Sequence, residues 1–154
     1  MNRLGIVLIT IFLIVGCEQR DTKTNQNAEV SNTIEITNGW VRPGNQGMMT
    51  AAYFAITNNT ASTDSLIGIS STIAEDTQIH ESFEMEAGMM GMREIDAISI
   101  ESNSVVELTP GGLHVMVIRP FENILEGDSV TFSLEFLSTG LVEVTLPVQL
   151  SSAN

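Results

Sequence analysis

The stretch from Ile79 to Glu94, IHESFEMEAGMMGMRE, sets His80 just ahead of four methionines, Met85, Met89, Met90 and Met92. The chain's other histidine, His114, stands in PGGLHVMVIRP two residues before Met116. Thioether and imidazole are neutral donors of soft to borderline character, and together they match copper(I). Calcium, magnesium or manganese would want carboxylate oxygens, and structural zinc usually wants thiolates. Methionine is not protonated in the accessible pH range, so only the histidines would make the affinity depend on pH.

Competing readings use the same residues. Methionine also fills irregular cores, a strand histidine also serves as a hydrogen-bonded structural residue, and clustered methionines can sense oxidation. A fourth reading is a module that binds no metal, in which the methionine loop is a flexible hydrophobic docking surface for another envelope protein.

These side chains must be positioned by strands. In LHVMV the alternation of a strand puts His114 and Met116 on one face and Leu113, Val115 and Val117 on the other. TPGG just before them reads as a turn, which predicts His114 near a strand end. His80, after the apolar Ile79, is likewise expected at a strand end. MEAGMMGM reads as a glycine-bearing loop, and its return onto the strand of His114 would unite His80, Met92, His114 and Met116.

Strict alternation continues downstream: Val130, Phe132, Leu134 and Phe136 on one face of SVTFSLEF, and Val142, Val144, Leu146, Val148 and Leu150 on one face of LVEVTLPVQL. TIEIT, TAAYFAIT and AISIES read as further short strands, separated by turn clusters such as GNQG, EGDS and LSTG. No long amphipathic helical repeat occurs. The pattern predicts an all-β antiparallel sandwich of about seven to nine strands in a single domain. Pro147 points to an edge or a bulge in the last strand, because proline cannot donate to a ladder.

The rest of the 154 residues brackets that domain. Residues 1–17 read as an export signal: Arg3, the apolar run LGIVLITIFLIV, then IVGC ending at Cys17. The sequence around Cys17, the chain's one cysteine, resembles a bacterial lipobox, which predicts lipidation there and a membrane anchor outside the cytoplasm. The alternative is a cleaved signal with an incidental cysteine. Residues 18–33 have the composition of a solvated tether, residues 34–150 form the expected folded unit, and 151–154 are a tail.

A formal charge of -13, from six basic and nineteen acidic residues, argues against nucleic acid as a partner. Catalytic signatures are missing: the folded part has no cysteine nucleophile, no G-x-S-x-G, no H-E-x-x-H and no phosphate-cradling glycine loop. A blue-copper electron carrier would need a cysteine ligand. The expectation is therefore a protein that is not an enzyme.

The order histidine, methionine, then 21 residues and His-x-Met resembles the periplasmic copper chaperone family PCu(A)C. Eleven residues separate His80 from Met92, one more than the family's first gap, while Met92 precedes Arg93 as the family's methionine precedes arginine. Met85, Met89 and Met90 stay as additional candidates. GWVRP with Trp40, Arg42 and Pro43, then AAYFAITN, LTPGGLHVM, EGDSV and VEVTLPV, also resemble the family's landmarks. The resemblance spans nearly all of residues 34–150.

That resemblance implies a cupredoxin-like Greek-key β-sandwich holding one copper(I) ion through His80, Met92, His114 and Met116. It further implies a periplasmic carrier that passes copper to cytochrome c oxidase assembly, toward the dinuclear copper centre of subunit II, often with a Sco-type thiol protein; a monomer is the default expectation for a shuttle on a tether. A copper buffer or resistance protein would use the same ligands.

Overall fold

The computed structural model describes residues 33–151. The export segment, Cys17 and most of the polar tether lie outside the described residues. Ten strands follow in order: β1 (Ile34–Val41), β2 (Met49–Asn58), β3 (Asp64–Ser70), β4 (Ala74–Glu84), β5 (Met90–Glu94), β6 (Ile98–Ile100), β7 (Ser104–Leu108), β8 (Leu113–Pro120), β9 (Ser129–Phe136) and β10 (Gly140–Pro147). The only helical element among the described residues is one 3-10 turn, Glu86–Gly88.

The strands form two layers. One sheet runs β1-β2-β8-β4-β5 with β7 also paired to β2, and the other runs β10-β9-β3-β6. Every strand pair is antiparallel. Neighbours such as β2 with β8 and β3 with β9 are far apart in sequence, so the chain crosses between layers in the Greek-key manner. Between the layers Phe54, Ile56, Leu66, Val115, Val117, Phe132, Leu134 and Phe136 are buried. Their removal from water is the main force holding the sheets together.

Alternation explains which side chains those are. Val130, Phe132, Leu134 and Phe136 all point inward from β9, and Val115 and Val117 do so from β8. Pro147 lies on β10, an outer strand, where its missing N–H costs no ladder bond.

Four expectations are corrected. There are ten strands rather than seven to nine. His80 is not at a strand end but well inside β4, an eleven-residue strand. The methionine stretch is a β-hairpin rather than a loop: its turn is confined to Met85–Met89, and Met90 and Met92 sit on β5. Leu150 lies past the end of β10 and is exposed instead of sharing the buried face of Leu146 and Val148.

Strands β7 and β8 pair with successive lengths of β2, Asn58 to Phe54 and then Ala52 to Met49. They are thus one line interrupted at residues 109–112. The interruption is a tight turn in which Gly112 donates to the Thr109 carbonyl and Thr109 donates to that of Leu113. Gly111 takes φ +84°, a conformation that favours glycine. The turn therefore breaks the pairing with β2 immediately before His114.

Candidate metal centre

Cross-strand partners share a face, so register fixes what meets on the outer side of the first sheet. His80 on β4 pairs directly with His114 on β8, and Gln78 pairs with Met116. On the far side of β4, Ser82 pairs with Met92 and Glu84 with Met90. On the far side of β8, Ala51 pairs with Met116. The two imidazoles end with ring centroids 5.8 Å apart.

A cavity of about 220 Å³ opens beside them, and Met92, His114 and Met116 stand in its wall with Met49, Tyr53 and Arg42. A larger cavity of about 490 Å³ lies nearby, between Trp40, Leu108 and Leu150, but no histidine or methionine lines it. The smaller one is where His114, Met92 and Met116 gather, and His80 stands behind His114 without lining it.

His114 is buried although it projects from the outward face. Tyr53 covers one side of its ring at 6.5 Å between centroids and His80 the other. Tyr53 is held in turn by Trp40, 4.6 Å away, and by Arg42, whose Nη2 donates to the Tyr53 hydroxyl. The Arg42 carbonyl accepts from Thr50 Oγ1 at 2.8 Å. This buried aromatic wall keeps the His114 ring in one place.

Hydrogen bonds decide which nitrogens are free. His114 Nδ1 lies 3.0 Å from the Gly112 carbonyl, which can only accept, so Nδ1 carries the proton and Nε2 keeps its lone pair. The same carbonyl accepts from the Ser82 N–H, tying the turn to β4. On β4 a relay does the equivalent work. The Asp76 carboxylate accepts from Gln78 Nε2 at 2.9 Å, which fixes the amide's orientation and leaves Oε1 facing His80 Nε2, also at 2.9 Å. His80 Nε2 is therefore the donor, and Nδ1 is left as a bare lone pair.

That Nδ1 is buried with no hydrogen-bond partner. A buried orphan of this kind costs roughly 1–3 kcal/mol unless something occupies it. Burial, then the neighbouring His114, lowers the His80 pKa from its ordinary value, with Glu94 opposing them. The shift favours the neutral ring, in which the Nδ1 lone pair is free. Gln78→Leu is expected to convert His80 from a single Nε2–H tautomer to a mixture, visible as a change in its two ring 15N shifts. Unchanged shifts would refute the relay.

The remaining methionines separate by face. Met90 shares the face of His80 and Met92 but lies two pairs farther out on the hairpin. Met89 closes the hairpin turn, its carbonyl accepting from the Met85 N–H at 2.7 Å. Met85 goes to the opposite face: its sulfur would lie 3.2 Å from a Cβ at Gly91, beside the Phe83 ring. Glu81 is also there, ion-paired with Arg93. The hairpin does not bring Met85 to the histidines. Met49 and Tyr53, which the motif spacing does not include, do face them.

The donor set fits a soft cation. Among the described residues no three His, Cys, Asp or Glu side chains gather to hold a metal. What this face presents is two imidazole nitrogens with free lone pairs and, on the same face, the thioethers of Met92 and Met116.

Comparison with known proteins agrees with this architecture. The LpqE-like lipoprotein family model matches residues 34–148. Lxx21020 of Leifsonia xyli subsp. xyli, a protein named as a lipoprotein, is 26% identical over 122 residues, 79% of this chain and 73% of its own length. Among solved structures, the copper-bound PCuAC domain from PmoF2 is 26% identical with a TM-score of 0.64, covering 77% of this chain and 93% of that domain. The copper(I) form of DR1885 from Deinococcus radiodurans, 21% identical, superposes with a TM-score of 0.60 over 85% of this chain and 86% of that one. The chain belongs to the LpqE-like lipoprotein family, and its folded part is a PCuAC-type β-sandwich.

Proposed function

We propose that this protein is a carrier of one copper(I) ion, bound by His80, Met92, His114 and Met116. The observation that carries the reading is the pair of imidazoles: each has one nitrogen locked by a hydrogen bond and the other left bare, beside a cavity walled by Met92 and Met116. Fixing a histidine's outer nitrogen is how proteins aim the inner one at a metal. The solved relatives include a copper-bound and a copper(I)-bound form.

On this reading Cys17 carries the lipid, residues 18–33 are a tether, and the monomeric sandwich works on the outer side of the membrane. The acceptor is the dinuclear copper centre of cytochrome c oxidase subunit II, with a Sco-type thiol protein as a partner. The geometry suits hand-over. Met92 is 62% exposed on an edge strand, so an acceptor's thiolate can displace it first while the buried His114 still holds the ion. No bond in a substrate is made or broken and copper stays in one oxidation state.

Anaerobic titration against a chromogenic competitor is expected to show one equivalent of copper(I), and Met116→Leu, which keeps the shape and removes the sulfur, is expected to weaken it about tenfold. Absence of competition by the wild type would end the carrier reading. Transfer of the bound ion to a subunit II copper domain distinguishes delivery from storage, because a buffer would retain it.

A further inference from the structure

Beyond the four donors of the motif, a third sulfur reaches the cavity that Met92 and Met116 line. Met49 opens β2, where it pairs with Ile118, and two residues on Ala51 pairs with Met116. Alternation therefore puts Met49 on the face of Met116, diagonally across the ladder. It lines the cavity together with Met92, His114 and Met116. Ala51, the side chain directly opposite Met116, is too small to fill the gap between the two thioethers.

The backbone entering β2 is held firmly. Gly47 takes φ +73° and donates to the Pro120 carbonyl, Met48 donates to that of Asn45, and the Met48 carbonyl accepts from the Arg119 N–H. Met49 is thus fixed at its Cα but free in its side chain, which is 63% exposed. Such exposure of a large apolar residue leaves its sulfur accessible from solvent and from the cavity at once. Met92 has the same character on the opposite wall at 62%. Met116 is half-buried and His114 is buried between them.

We propose that Met49 is an exchanging thioether donor to the soft cation, taking the place of Met92 when the latter lets go. The inference rests on the carrier reading above. The inner donors hold the ion, while the two outer sulfurs, on β2 and on the β4–β5 hairpin, alternate in the remaining position. One thioether bond forms as another breaks, with no change of charge or oxidation state. An acceptor that displaces Met92 then meets an ion still held by Met49, and release becomes stepwise rather than a single loss.

The test uses the full chain in detergent, labelled with 13C at the methionine methyls and titrated with silver(I), a redox-inert soft cation. One equivalent is expected to shift the methyls of Met49, Met92 and Met116 and to leave Met48, which does not line the cavity. Added to Met92→Leu, Met49→Leu is expected to weaken silver(I) about a further tenfold, because no outer sulfur is left to take the position, and Met48→Leu in the same background to leave it unchanged. Shifts at Met92 and Met116 with Met49 unmoved, or no further loss when Met49→Leu is added to Met92→Leu, would overturn the role of Met49 and spare the carrier. No methionine shift at all would overturn the carrier reading itself.

Discussion

His114→Ala is expected to weaken copper(I) binding by at least about 100-fold: losing an outer partner of a metal-bound histidine already costs about 10- to 100-fold, and on the proposed ligation the donor itself is removed. The effect should exceed that of either thioether, because imidazole is the stronger donor and His114 is the least replaceable group of the set. Its ring is buried between Tyr53 and His80, and its Nδ1–H is committed to the Gly112 carbonyl. No neighbouring donor can swing into the space that alanine leaves, since Tyr53 is itself held by Trp40 and Arg42. Alanine keeps the strand register, which depends on the backbone ladder of β8 with β4 and β2. Competition titration of a variant with wild-type circular dichroism checks this. Retention of wild-type affinity would mean that the ion, if any, sits elsewhere.

Much of this arrangement is legible in the sequence, for a simple reason. Where one face of a strand packs on the core and the other meets water, hydropathy alternates, and β8 and β9 are both of that kind. The shared face of His114 and Met116 follows from their spacing alone. Strand β4 is different: AEDTQIHESFE runs past the core into a projecting hairpin, with polar groups on both faces. Nothing in its pattern marks His80 as mid-strand. The glycines of the methionine stretch read as loop, yet Gly91 sits on β5 because the Phe83 ring occupies the space a side chain would need.

The hairpin also shows how an extra residue between His80 and Met92 is tolerated. Cross-strand pairing of Ser82 with Met92 keeps Met92 on the face of His80, and the turn Met85–Met89 absorbs the length, with Ala87 at φ +65°. A residue added within a paired strand would instead have turned Met92 to the other face. Met49 was illegible for a related reason. Its neighbours GNQG announce a turn, and only the long-range register of β2 against β8 carries it to the site.

The second large effect concerns the scaffold. Asp64→Ala is expected to destabilise the fold by about 2–4 kcal/mol, the range for removing a buried charged acceptor that takes several hydrogen bonds. Asp64 is buried at the start of β3, and its carboxylate accepts from the N–H groups of Ser65, Ser138 and Thr139 and from the Thr139 hydroxyl. It thereby clamps β3 to the turn between β9 and β10. Burial alone would raise its pKa, but the Thr139 hydroxyl and the three backbone donors outweigh burial and hold it below the ordinary 3.8. A folded-state value below the unfolded one means the folded protein binds fewer protons. This contribution is therefore complete above the unfolded value and is lost as pH falls through the folded one. Urea denaturation should show the full penalty of Asp64→Ala near neutral pH and a shrinking one below 3.8. The same penalty at both would assign the loss to packing and not to the ionised carboxylate. Copper(I) affinity should be unchanged throughout at neutral pH, because Asp64 belongs to the sheet that does not carry the histidines.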